Sequence, residues 1–185
     1  MVSLISLWLP ILLSGIAVFL VSSIIHMVFT YHQSDYAAVP DEAQARAAIG
    51  SLRLPPGQYA LPKPANAKEM GDPAFQAKMT EGPVVMMTVW PNRPFAMGAQ
   101  LGQWFVYSLV VGVFAGYVAG IMLPAGTDYL LVFRVTGTVA FAGYGLALLQ
   151  GGIWSGYSWS SVFKSVFDAL VYGLVTAGVF GWLWP

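Results

Sequence analysis

The side chains that could do chemistry here are few enough to take one by one. His26 and His32 are the only histidines in 185 residues. Imidazole is the commonest metal ligand and also holds haem in many proteins. If one helix runs through both, six residues at about 100° each leave the rings on different faces, so the spacing predicts no shared metal or haem site. His32 and Asp35 stand i,i+3 and predict a His–Asp pair at a membrane edge, with Tyr31 and Tyr36 as interface anchors. Asp168 stands i,i+4 from Lys164 inside a long apolar run. That spacing predicts a structural ion pair near the interface, with the lysine snorkelling outward. Arg134 falls just inside another apolar run, a turn and a half after Asp128, where it would anchor to the interface or hold an anionic lipid head group. An ionisable residue at membrane depth is a functional candidate, because an unpaired charge in lipid is expensive. The candidate polar residues are therefore His26, His32, Asp35, Arg134 and Asp168.

No position earns a catalytic or metal-binding assignment from the sequence alone, and no cofactor is expected. Five of the eight methionines, Met70, Met79, Met86, Met87 and Met97, share one stretch, and thioethers suit copper(I). No MxxM-type repeat or histidine accompanies them, however, and Met86 and Met87 would point to opposite faces of a strand, so irregular packing is the expectation. The absence of cysteine excludes disulfides, thiolate metal sites and iron–sulfur clusters. No Walker loop, HExxH, nucleophile elbow or dinucleotide fingerprint occurs.

These residues sit in a chain whose main solvent is not water: 57% of it is hydrophobic and only 9% charged. Eight basic and eight acidic residues cancel, leaving no basic field for nucleic acid. The first apolar run, about 4–31, carries no charge and exceeds the roughly 20 residues a helix needs to cross the hydrocarbon. It lacks the basic n-region of a signal peptide and is much longer than an h-region, so it is expected to be a retained span. Pro10 lies early enough to sit in the first turn, where its missing N–H is no loss. Further spans are expected at about 99–123, 129–150 and 162–184, giving an all-α membrane protein of four transmembrane helices.

Residues 33–98 hold six of the eight Lys and Arg and six of the eight Asp and Glu, and are expected to form a small mixed α/β cap outside the membrane. Asp41 and Glu42 should start a short helix, braced by Glu42 and Arg46 at i,i+4 and ended by Gly50. Asp72-Pro73 should open a second helix that Gly82 closes. Residues 84–90 form the one convincing strand candidate, with 58–61 as its expected partner. The chain thus divides into helix 1 (1–32), cap (33–98) and helices 2–4 (99–185).

Small residues recur every four positions in two spans: Gly112, Gly116 and Gly120 in the second, and Ala169, Gly173, Ala177 and Gly181 in the fourth. Such glycine-zipper ridges let backbones approach and gain van der Waals contact, the main attraction between helices already in lipid. They serve packing within one monomer, a homo-oligomer or a partner subunit equally well. Most basic residues lie on the cap side, so the positive-inside tendency predicts a cytoplasmic cap and periplasmic termini.

Several short segments are distinctive: Ile25-His26-Met27, His32-Gln33-Ser34-Asp35-Tyr36, Pro56-Gly57-Gln58-Tyr59, Glu81-Gly82-Pro83, Met97 through Phe105, and the run from Asp168 to Trp184-Pro185. Together they resemble a family of small, uncharacterised four-helix bacterial inner-membrane proteins, across essentially the whole chain. The resemblance implies four helices and a bacterial inner membrane. It supplies no activity and no catalytic residues.

Three functions compete. The leading expectation is a non-catalytic integral membrane protein, an accessory or scaffold subunit or a homo-oligomer packed through its ridges, whose partners are the lipid bilayer and a larger membrane complex. The first alternative is a small transporter or channel, a glycine-zipper oligomer around a pore lined by Asp168, Arg134 or Ser and Thr residues, for which the convergence of Asp168, Thr136, Thr138 and Thr176 on one cavity is the mark to look for. The second is a membrane enzyme or a haem or metal carrier using His26, His32 and Asp35.

Overall fold

The structure, a computed structural model, describes residues 1–94 and 96–185. It is mostly helical and divides into two compact units, Met1–Tyr36 with Ala96–Pro185, and Ala37–Phe95.

Four helices in the first unit are long and apolar enough to cross a membrane: Leu4–Met27, Gly98–Met122, Tyr129–Trp154 and Trp159–Trp182. Their regular parts are α1 (Trp8–Met27), α4 (Gly98–Met122), α5 (Tyr129–Gly145) with α6 (Leu149–Trp154), and α7 (Trp159–Trp182); α2 (Glu42–Ser51) and α3 (Pro73–Glu81) belong to the second unit. A 3-10 turn, Leu146–Leu148, joins α5 to α6, so the third helix runs past the expected end at 150 into what was expected to be a connection. The set suggests a multi-pass membrane protein. Pro10 is the third residue of α1, within its first turn.

The helices close a ring in which α1 packs on α4 and α7, and α5 on α4 and α7. The α5–α7 seam is the most extensive, and it is built from backbone proximity. A Cβ placed on Gly137 would lie 2.9 Å from the Ala177 Cβ, and one on Gly173 would lie 3.2 Å from the Phe141 amide nitrogen. The ridge on α4 faces its own chain too: a Cβ on Gly112 would meet Ser14 of α1, one on Gly116 would meet Phe180 of α7, and one on Gly120 would lie 2.7 Å from the Val2 carbonyl oxygen. Gly120 also accepts the Val2 N–H at 2.8 Å. Both ridges thus serve packing inside one chain. Around them, an aromatic group of Trp104, Tyr144 and Tyr172 has ring centroids 5.6 to 6.0 Å apart, and the Trp104 indole N–H donates to Ser22 Oγ at 2.8 Å. Among the described residues no buried side-chain polar atom lacks a partner.

Helix α1 stops at Met27, short of the expected 31. Val28 and Phe29 still donate to the Ile24 carbonyl, and the chain then turns into a 3-10 helix, Tyr31–Asp35. No glycine or proline marks this break in the sequence.

In the second unit, α2 (Glu42–Ser51) starts at Asp41, whose carboxylate accepts the Gln44 N–H, and α3 (Pro73–Glu81) starts at Asp72, whose carboxylate accepts the Ala74 N–H. Gly82, at φ 67°, closes α3 as expected. Gly50, in contrast, stays inside α2, and Arg53 takes the positive φ of 49°. Strands β1 (Gly57–Leu61) and β2 (Val85–Val89) pair antiparallel, with Tyr59 opposite Met87. Met86 is exposed and Met87 half-buried, as alternation requires. Phe75 is the one buried hydrophobic residue among the described residues of this unit.

Candidate functional site

The break after α1 brings His26 and His32 together. Because the helix ends between them, the rings are not carried to different faces. Their centroids lie 4.7 Å apart with the planes tilted by 39°. This overturns the expectation of separate rings, whose premise was one continuous helix. The same distance leaves no room for a macrocycle between the rings, so a bis-histidine haem does not fit this arrangement.

The turn lies against the first half of α7. The Tyr31 hydroxyl donates to Asp168 Oδ1. His32 Nε2 lies 2.7 Å from Asp168 Oδ2, and His32 Nδ1 lies 2.6 Å from Asp35 Oδ2. His26 Nε2 stands 3.9 Å from Asp168 Oδ2 and 3.3 Å from the Tyr172 hydroxyl. Lys164 donates to the Tyr31 carbonyl at 2.7 Å, to Ser34 Oγ at 2.7 Å and to Asp35 Oδ1 at 2.9 Å. An ammonium has three N–H donors, and all three find acceptors in the turn.

Lys164 and Asp168 therefore do not pair with each other, contrary to the i,i+4 expectation. Each side chain reaches across to the turn and bonds its own set of atoms there, Asp168 the Tyr31 hydroxyl and His32, and Lys164 the Tyr31 carbonyl, Ser34 and Asp35. Geometry explains why this arrangement wins. The turn offers Lys164 a carboxylate and two neutral oxygens, and it offers Asp168 a phenol and an imidazole, whereas a direct pair would leave both sets unmet.

Asp168 is the buried centre of the cluster, with its side chain 4% exposed, against 17% for His32 and 51% for His26. Burial would lower the His32 pKa, but hydrogen bonds to the Asp35 and Asp168 carboxylates outweigh it and hold the imidazole above its ordinary value. Burial would raise the Asp35 carboxyl. Hydrogen bonds from His32, Lys164 and Ser161 overcome that and hold it down at about 2. The Tyr31 phenol is pushed up, first by burial and then by the carboxylate it bonds.

Two cavities flank the cluster. One of about 460 Å³ is lined by Tyr31, Ser160, Phe163, Lys164 and Phe167. An apolar one of about 220 Å³ is lined by Val21, Ile24, Ile25, Phe29, Tyr31, Phe167 and Val171. Neither is lined by Thr136, Thr138 or Thr176. Those three hydroxyls donate to carbonyls of their own helices, at Val132, Arg134 and Tyr172.

The structure thus gathers four of the five candidate polar residues, His26, His32, Asp35 and Asp168. Arg134 is exposed on α5, outside the cluster. Sequence reasoning assigned Tyr31 to the interface and gave Tyr172 no role. The signal that could have found Lys164 as a member of the site was its charge in an otherwise apolar helix.

No family model, no curated protein and no solved structure matches the chain.

Proposed function

We propose that the protein is a multi-pass protein of the bacterial inner membrane that works by binding an ion or small polar ligand at the end of its bundle where α1, the Tyr31–Asp35 turn and α7 meet. The observation that carries this reading is the convergence of Tyr31, His32 and His26 on the buried carboxylate of Asp168. Two imidazoles, a phenol and a carboxylate from three segments form a donor and acceptor set far richer than helix packing requires. Buried polar networks of this kind are costly unless each member is satisfied.

The accessory-subunit reading loses one of its supports, because the glycine ridges face helices of their own chain. The threonines named for the channel reading line neither cavity beside the cluster. Basic residues concentrated in 33–98 support a cytoplasmic position for that segment and periplasmic termini. A C-terminal reporter active only in the periplasm should then give signal; activity only in the cytoplasm would reverse the orientation.

The binding reading is tested by native mass spectrometry of the chain extracted in a mild detergent, beside the Asp168→Asn variant. We expect a stoichiometric non-lipid species on the wild-type chain that the variant lacks. A wild-type chain carrying lipid alone, identical to the variant, would overturn the reading.

A further inference from the structure

We propose that His26, His32 and Asp168 form a site for one divalent transition-metal ion, with the two imidazole nitrogens and one Asp168 carboxylate oxygen as its protein ligands. This deepens the binding reading above and rests on it. One ligand atom from each of the three residues lies within 4.8 Å of the other two. The closest approaches are 2.7 Å from His32 Nε2 and 3.9 Å from His26 Nε2, both to Asp168 Oδ2. Ligands around a tetrahedral zinc, each about 2.0–2.1 Å from it, stand about 3.3 Å apart. An ion would therefore widen the shorter of these distances and close the longer by about half an ångström each, and it would draw the two imidazole nitrogens, which lie within 4.8 Å of each other, together by up to about 1.5 Å, a movement that falls to the half-exposed His26 side chain.

The groups around the three ligands also suit a bound metal. A histidine that binds a metal almost always donates its other ring N–H to a carboxylate or carbonyl, which fixes the tautomer and the ring orientation. His32 has that arrangement: Nδ1 meets Asp35 Oδ2 at 2.6 Å, and Asp35 is itself fixed by Lys164 at 2.9 Å. The Tyr31 hydroxyl occupies Oδ1 of Asp168, leaving Oδ2 for the ion. His26, half exposed at the last turn of α1, gives the ion an entry side. Two imidazoles and a carboxylate suit Zn²⁺, Co²⁺, Fe²⁺ or Mn²⁺ better than copper(I), which prefers sulfur, or Ca²⁺ and Mg²⁺, which take oxygen. Three protein ligands leave at least one coordination position open to water or a small anion.

The test uses the full chain, purified with a tag free of histidine, stripped with chelator and titrated with Co²⁺, whose visible absorption reports nitrogen and oxygen ligation. We expect one Co²⁺ per chain, displaced by Zn²⁺, with affinity at least tenfold lower in His26→Ala. Because His26 is half exposed, that variant keeps its fold even if Asp168→Asn does not, and far-ultraviolet circular dichroism checks this. Failure of wild-type chain to bind Co²⁺, or unchanged affinity in His26→Ala, would overturn the metal site. If Co²⁺ fails while native mass spectrometry still finds a bound species that depends on Asp168, the metal is wrong and the binding reading stands; if neither is found, both fall.

Discussion

Helix α7 is held to its neighbours by two different means, and the contrast shows what each requires. Along α5 it presents Ala169, Gly173 and Ala177, and the contact is shape: the Gly173 backbone approaches Phe141, and Ala177 fills the space over Gly137. Against the Tyr31–Asp35 turn it presents Lys164 and Asp168, and the contact is charge and hydrogen bonding. Between helices placed in lipid there is no hydrophobic force, so there a contact of the first kind would depend on close approach and one of the second kind on partners for every polar atom. A seam of the first kind tolerates no added volume, while a contact of the second kind tolerates no missing partner.

The sharpest way to break the seam is Gly173→Leu. A Cβ alone would stand 3.1 Å from the Phe141 Cβ and 3.2 Å from its backbone nitrogen, so the rest of a leucine must push the helices apart. A loss of about 3 kcal/mol or more is expected in reversible unfolding by denaturing detergent. Near wild-type stability would mean that α5 and α7 do not meet as described. On the polar side, Asp168→Asn keeps the volume and removes the charge that faces His32. The expected loss is about 2 kcal/mol, with faster amide exchange confined to 31–36. Exchange spread evenly over the bundle would show that Asp168 supports the whole ring instead.

The two contacts also differ in how legible they are in the sequence. The small-residue period of the ridges, the four apolar runs, the caps at Asp41 and Asp72 and the strand pair can all be read from local sequence, because local spacing determines them. The polar cluster cannot. His32 and Asp168 are 136 positions apart, and their meeting depends on α1 ending at Met27 without a glycine or proline to mark it. With that end placed four residues too late, the helical wheel separates His26 from His32, and the i,i+4 rule supplies Lys164 and Asp168 with each other as partners. Both errors have one cause: a local rule is applied where distant partners decide.

Smaller effects sharpen the comparison. Lys164→Met keeps the apolar stem and removes three donors from the turn, so about 1–2 kcal/mol should be lost while the α5–α7 seam stays protected from exchange. In metal-free protein the turn should also respond to pH. His32 faces Asp35 on its own turn, Asp168 and Lys164 on α7, and His26 on α1. Its folded pKa is raised above 6.5, so its contribution is complete below 6.5 and disappears as pH rises through the folded value. Asp35 is depressed from 3.8 to about 2, so its contribution is present above 3.8 and disappears as pH falls toward 2. Exchange at 31–36 should accordingly be slowest, after correction for intrinsic rates, between about pH 4 and 6.5. Protection that keeps rising above that window would show that His32 does not need its charge.

The smallest expected effect belongs to Arg134, and it isolates what distinguishes a charge inside such a helix from a charge that organises structure. Arg134 is also an ionisable residue in an apolar helix, but it is exposed, and among the described residues it makes no ion pair. Its backbone carbonyl accepts from Thr138 whatever side chain it carries. Arg134→Ala should therefore change stability in neutral detergent by no more than about 0.5 kcal/mol and leave exchange at 31–36 untouched. A difference that emerges only in bilayers with anionic lipid would place its partner in the head groups. A loss above about 1 kcal/mol in neutral detergent would mean that Arg134 has a protein partner and that depth in the membrane, rather than convergence on a partner set, governs the cost of a charge here.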